Sequence, residues 1–302
     1  MSRLEISSGE FHKPGFEASE WCRPLEEGHI LYFPETPFEF PQTDIDFLLN
    51  QRQSRAKYRK NIAYRPLQDR VTGMAGDSRD GERMLEVLGE YSRRVTRFLE
   101  VGLAPYAASW RLDYASFRPI QEKGREINQK RRNDLLHVDA FPTRATRGNR
   151  ILRFFTNINP EEPRHWIVGK PFSESVSGWL ESGMPLPQPR ESPGSALKRN
   201  LARAVRRVGL PIPAPSRYDE FMLGLHDFLK ASESYQRDCE RETLYFNPGS
   251  SWMVFTDLVP HAALSGRFAL EQTFMIDRRA MLLPEKAPVN ILEKMVGCSL
   301  TD

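Results

Sequence analysis

Cysteine is scarce in this chain, and the three present, Cys22, Cys239 and Cys298, stand far apart. They match no zinc or disulfide spacing, which excludes a disulfide scaffold and points to reduced thiols in a cytosolic setting. No run of about eighteen apolar residues occurs, so no segment reads as a membrane span. The opening stretch MSRLEISSGEFHKPG lacks the apolar core of a signal peptide. Internal repeats and low-complexity tracts are missing too. Nor is one charge in excess: 43 Lys and Arg against 40 Asp and Glu leave a formal net charge of +3. With no nucleic-acid-binding motif, that argues against a nucleic-acid partner. The expectation is a cytoplasmic protein, held to a lipid face only if a local basic patch does so.

What the chain does have is proline, glycine and aromatic residues. The 23 Pro and 19 Gly, with 11% aromatics in 302 residues, suit a loop-rich β protein better than a helical bundle. One large domain accommodates the length. Residues 1–105 read as an irregular and helical cover, 106–280 as a β core, and 281–302 as a mostly irregular tail. Within the cover, GHILYFP suggests a short strand, and helices are predicted over 44–62 and 80–101. The second of these carries Met84, Leu85, Leu88, Val95, Phe98 and Leu99 at helical spacing. In the core, WRLDYASFRPI and RILRFFTNIN read as strands. A helix is expected over 218–230, followed by three strands in TLYFNPGS, SWMVFTDLVPHA and RFALEQTFMI.

Residues 160–217 break the strand pattern. They read as a proline-flanked insertion around SALKRNLARAVRRVG, a basic amphipathic helix. Leu197, Leu201, Ala204, Val205 and Val208 form one stripe, with Lys198, Arg199, Arg203, Arg206 and Arg207 around the rest. No acidic residue lies between Ser192 and Ser216. An anionic membrane surface or an anionic substrate suits such a helix.

The stretch DLLHVDAFPTRATRGNRILRFFTNIN, from Asp134 to Asn159, carries the chemistry. His137 and Asp139 stand in the order His-x-Asp, and in an extended strand they point to one face. His261 lies far downstream in a strand-forming context. Two histidines and one carboxylate, with the remaining positions open, make the facial triad of non-haem Fe(II) oxygenases. A lone His-x-Asp is a weak signal. A jelly roll supplies what it needs, because that fold returns a distant strand to the first two ligands. His12, His29 and His165, in loop-like sequence, and His226, on a helix, are weaker candidates.

Such a triad leaves room for 2-oxoglutarate and dioxygen, and the far carboxylate of 2-oxoglutarate needs a cation. Arg267, six residues after His261, is one candidate. Arg153, in mid-strand where a lone charge is costly, is its rival. Asn157 shares Arg153's face and is placed to hydrogen-bond the cosubstrate. A basic rim of Arg118, Lys123, Arg125, Arg131, Arg132, Arg144 and Arg147 surrounds the metal stretch. Of these, Arg118, Arg131, Arg132, Arg144 and Arg147 are the candidates for binding an anionic substrate with phosphate or carboxylate groups.

RNDLLHVDAFPTR, RGNRILRFFTNINP, CRPLEEGHILYFP and FNPGSSWMVFTDLVPHAALSGRFALEQTF together resemble the bacterial Kdo hydroxylase family, from about residue 20 to 280. The resemblance is weakest over 160–217. Kdo is the acidic eight-carbon sugar that joins lipid A to the rest of lipopolysaccharide. The resemblance implies an α+β protein with a mainly β core, a double-stranded β-helix (jelly roll) covered by N-terminal and inserted helices. It also implies a cytoplasmic Fe(II)- and 2-oxoglutarate-dependent dioxygenase that hydroxylates position 3 of lipid A-linked Kdo to give Ko. His137, Asp139 and His261 fit the family's iron ligands by position. The partners implied are Kdo-bearing lipid A and the cytoplasmic face of the inner membrane. Two other readings stand beside it: a 2-oxoglutarate oxygenase of another acidic substrate or of a protein side chain, and a non-catalytic jelly roll that binds anionic glycolipid.

Overall fold

A computed structural model describes residues 3–6, 16–53, 61–75, 78–124, 127–187 and 215–301. The basic segment 196–208, His12 and Arg125 lie outside the described residues.

Alternating apolar residues build two sheets whose inner faces meet. The strands, in chain order, are β1 (Arg3–Glu5), β2 (Ile30–Phe33), β3 (Arg52–Gln53), β4 (Ile62–Arg65), β5 (Arg70–Thr72), β6 (Met74–Ala75), β7 (Arg111–Arg118), β8 (Arg150–Asn157), β9 (Arg164–Gly169), β10 (Arg241–Phe246), β11 (Ser251–Phe255), β12 (His261–Ser265) and β13 (Ala269–Ile276). The larger sheet runs β1-β2-β11-β8-β13-β7-β4-β5, the smaller β10-β9-β12, and β3 and β6 form a separate pair. All pairings are antiparallel except β1 with β2. An isolated bridge between His137 and His261 extends the smaller sheet by one extended segment. Between the sheets, Trp252 stacks on Phe246 at 3.9 Å and on Phe155 at 5.1 Å, and Trp166 meets Phe155 edge-on at 5.0 Å. The arrangement is a jelly roll whose wide sheet continues past β7 into the β4–β5 hairpin.

Helices cover the outer face of the larger sheet. The longest, α3 (Ser78–Gly102), buries Leu88, Val95, Phe98 and Leu99. Its Tyr91 hydroxyl shares a hydrogen bond of 3.2 Å with Thr156 on β8. The earlier α1 (Ser19–Glu27) crosses α3 at Gly102, where a Cβ would fall 2.1 Å from the Trp21 ring. Only glycine permits that approach. The helix predicted over 218–230 is present as Arg217–Ala231, with a capping box between Ser216 and Asp219.

Four expectations change. The helix over 44–62 stops at Leu49, where the Asn50 amide donates to the Asp46 carbonyl at 2.8 Å, and Ile62 opens β4 with Ile62 and Tyr64 buried. Residues 164–169 are not part of an insertion: β9 is the central strand of the smaller sheet, and the helix Phe172–Glu181 follows it. Flanking prolines at 160, 163 and 171 disguised that strand. The three strands expected after 240 are four, because the chain turns at 256–259 and Pro260 before β12 begins in the other sheet. The tail carries a helix, Pro288–Val296, with proline in its first turn and Gly297 in the left-handed region at φ 73°.

Candidate active site

Backbone pairing places the three predicted ligands. His137 N–H donates to the His261 carbonyl at 3.1 Å and His261 N–H returns a bond to the His137 carbonyl at 2.9 Å. Asp139 is tied by its own N–H to the Thr256 carbonyl at 2.8 Å. One ligand atom from each of the three residues then lies within 4.8 Å of the others. Nε2 of His137 is 4.0 Å from Asp139 Oδ1, and Nε2 of His261 is 4.0 Å from Asp139 Oδ2. All three side chains are buried.

The other ring nitrogens settle the tautomers. His137 Nδ1 lies 2.7 Å from the Leu135 carbonyl and His261 Nδ1 lies 2.9 Å from the Val259 carbonyl. A carbonyl only accepts, so each Nδ1 carries the proton and each Nε2 turns a lone pair inward. This is how a metal-binding histidine is held. Burial lowers the pKa of both imidazoles and keeps them neutral. Burial alone would raise Asp139, but the Arg153 guanidinium holds its carboxyl well below the usual range. Asp139 Oδ2 is buried with no hydrogen-bond partner, although Arg153 Nε approaches to 3.0 Å off the bonding direction. Two neutral nitrogens, a carboxylate and an orphaned oxygen fit a divalent transition metal. Among the described residues no other cluster of His, Cys, Asp and Glu offers such a set.

Charge is balanced around the triad. Arg153 Nη1 reaches Glu271 Oε1 at 3.0 Å, Arg118 Nε donates to Glu271 Oε2 at 3.0 Å, and Thr273 adds a hydroxyl at 2.9 Å. Burial would raise the Glu271 carboxyl, but Arg153 and Arg118 keep it below its ordinary value. A cavity of about 570 Å³ opens beside His137 and Asp139 and is also lined by Phe141, Arg153, His226 and Lys230. Both His226 and Lys230 come from the helix Arg217–Ala231. His226 lies 2.8 Å from the Val138 carbonyl through Nδ1, with its ring 4.9 Å from that of His137. Buried Lys230 donates to the Lys130 carbonyl at 3.0 Å, and burial pulls its pKa down to about 8. A second cavity of about 570 Å³ continues outward and shares Asn61, Arg118, Arg131 and Arg153 with the first.

Of the predicted site residues, Arg153 and Arg118 stand at the triad, and Arg131 and Arg144 line the outer cavity. Arg267 does not reach it. It is exposed ahead of β13, lies over the ring of Phe268, a residue at a left-handed φ of 58°, at 3.9 Å, and lines neither cavity. Asn157 is committed elsewhere. Its amide donates to the Glu162 and Phe246 carbonyls at 3.0 Å, and its oxygen accepts from Asn159 N–H at 3.0 Å, so it braces a turn. Arg132 pairs with Asp134 at 2.7 Å, and Arg147 sits exposed in a turn whose N–H groups bind Asp219; neither lines the two cavities. His165 lies on β9 and stacks on Tyr245 at 4.6 Å.

Sequence reasoning missed Glu271, Lys230, Arg65 and Arg70. Strand alternation already set Glu271 on the Arg153-facing side, and Lys230 follows His226 by one helical turn. Either pairing was available as a signal. Arg65 and Arg70 gave none, because they fall between the helices predicted over 44–62 and 80–101, in a stretch to which no strand is assigned.

The sequence profile of the family described as 3-deoxy-D-manno-oct-2-ulosonic acid (Kdo) hydroxylase matches residues 12–299. A search of the curated proteins found no match. Among solved structures, the Kdo hydroxylase KdoO, a non-heme Fe(II) α-ketoglutarate dependent dioxygenase, in complex with α-ketoglutarate and Fe(III), is 32% identical. That alignment covers 99% of this chain and 97% of that one, with a TM-score of 0.83. The apo form of KdoO aligns over 100% of this chain and 98% of its own at a TM-score of 0.84, and the cobalt(II) complex reaches 0.85. By its sequence over almost its whole length, by its jelly roll and by its buried His-Asp-His cluster, this chain belongs to the Kdo hydroxylase family of Fe(II)- and 2-oxoglutarate-dependent dioxygenases.

Proposed function

We propose that this chain hydroxylates position 3 of Kdo attached to lipid A, giving Ko, with Fe(II) held by His137, Asp139 and His261 and with 2-oxoglutarate and dioxygen as cosubstrates. The observation that carries the reading is the pair of Nδ1-tethered imidazoles converging with a carboxylate at the floor of an arginine-lined cavity. Bound iron with 2-oxoglutarate supplies the oxidising power for O₂-dependent hydroxylation of a C–H bond. The protein's contribution is position and charge.

Neutral His137 and His261 present lone pairs, and the depressed pKa of Asp139 keeps the third donor anionic. Trp166 lies parallel to the His261 ring at 5.3 Å and closes that side of the site to water. Arg153 and Arg118 share Glu271, and each guanidinium carries five N–H donors. Enough remain to receive the carboxylates of 2-oxoglutarate and of the sugar, and Arg153 is the proposed cosubstrate residue. Lys230 adds a further cation to the same cavity. Arg118, Arg131 and Arg144 receive the anionic substrate. No helix among the described residues is long and apolar enough to cross a membrane. The proposed setting is the cytoplasmic face of the inner membrane, where the basic segment 196–208 meets anionic lipid.

Anaerobic addition of Fe(II) and 2-oxoglutarate, followed by visible absorption, tests the site. A weak charge-transfer band that is absent in His261→Ala is expected, and mass spectrometry of Kdo-lipid A should then show one added oxygen. Binding of the glycolipid with no band and no consumption of 2-oxoglutarate would replace the enzyme with a binding module.

A further inference from the structure

The β4–β5 hairpin lies beyond β7 at the edge of the wide sheet, yet it walls the outer cavity with two arginines that no carboxylate among the described residues pairs. Arg65 and Arg70 are directly opposite each other in the antiparallel register, a pairing of like charges that costs stability. No ion pair joins either to a carboxylate among the described residues. The Arg65 guanidinium lies over the Tyr114 ring at 5.0 Å, and its Nε is buried without a hydrogen-bond partner. Arg144 approaches the same ring at 4.2 Å, braced by Asp113. All three arginines and Tyr114 line the outer cavity, which joins the triad cavity through Arg118 and Arg153.

We propose that Arg65, Arg70 and Arg144 form a second anion subsite, which takes a phosphate or carboxylate of the substrate remote from the reacting carbon. The inference rests on the proposed glycolipid substrate and adds a recognition element to it. Planar guanidinium groups match the oxygens of either anion. Tyr114 holds two of them by their faces, which leaves their N–H edges to the cavity. An incoming anion relieves the repulsion between Arg65 and Arg70. The hairpin thereby converts a metal pocket for a small acid into a site that measures a larger, multiply charged glycolipid.

Calorimetric binding of Kdo-lipid A in detergent micelles, phosphorylated or enzymatically dephosphorylated, separates the two anion sources. The comparison uses wild type, Arg65→Gln and Arg70→Gln, with melting temperature as the fold control. Arg70 is exposed, so its variant keeps the test independent of packing. Each substitution is expected to weaken binding of the phosphorylated ligand about tenfold or more. Arg70→Lys should recover part of the loss, and the Fe(II)–2-oxoglutarate band should persist in every variant. Loss confined to the phosphorylated ligand assigns the subsite to phosphate; equal loss with both assigns it to carboxylate. Both variants binding both ligands as tightly as wild type would overturn the subsite. A wild-type protein without the charge-transfer band would instead defeat the oxygenase reading, and the binding comparison would still decide the subsite.

Discussion

Two groups of arginines share one cavity system and live under opposite electrostatic conditions. At the triad, Arg118 and Arg153 are matched by Glu271 and Asp139, and their contacts are close and buried. On the hairpin, Arg65 and Arg70 face each other, and no carboxylate among the described residues pairs with either. A third arrangement marks the extreme of the first kind: Arg150 is fully buried and clasps Asp257 at 2.6 Å, away from either cavity. Burial explains the contrast. A desolvated guanidinium needs a counter-charge within the fold, whereas one at a wet cavity wall can wait for a ligand to bring it. Carboxylate-matched arginines therefore frame the site, and the hairpin pair, with Arg144 braced by Asp113 beside it, is left to meet a remote part of the ligand.

The sharpest break is at the metal. His137→Ala or Asp139→Ala should reduce hydroxylated product to background and remove the charge-transfer band, with circular dichroism unchanged. Full activity in either variant would dissolve the triad. Next comes the structural pair. Arg150→Met leaves Asp257 buried and unmatched, at a cost of about 3–5 kcal/mol in urea unfolding. A cost near that of a surface substitution would show that burial does not separate the two kinds of arginine. Arg153→Gln should weaken 2-oxoglutarate binding by about 2 kcal/mol in titrations of the band. Arg267→Ala, at an exposed turn, should leave that titration unchanged, and the reverse ranking would return Arg267 to the cosubstrate.

A pH dependence tests the one buried lysine of the same cavity. Burial sets the folded pKa of Lys230 at about 8, below the unfolded value near 10.4. Its charge therefore opposes folding below pH 8, and that penalty fades as pH climbs from about 8 towards 10.4, where only the unfolded chain still holds the proton. Denaturant unfolding of Lys230→Met and wild type across this window should show wild type gaining relative to the variant. A constant difference would place Lys230 with the solvated cations.

The sequence by itself determined what backbone periodicity can carry. Alternation in RILRFFTNIN and RFALEQTFMI marked β8 and β13, helical spacing marked α3, and the i, i+2 relation set His137 and Asp139 on one face. The family resemblance reached farther, because motifs over most of the chain identified the jelly roll and its iron chemistry. Only the tertiary structure decided which charges meet. Glu271 finds Arg118 and Arg153 through the β7-β13-β8 register, in which Ser116 and Phe155 flank it. Lys230 reaches the metal cavity because a capped helix lies across its mouth. Arg65 faces Tyr114 because residues 62–65 extend a sheet that local propensity alone would have ended at β7. The physical reason is common to all three. Periodicity is written in neighbouring residues, whereas the partner of a buried charge is set by strands that lie tens or hundreds of positions away.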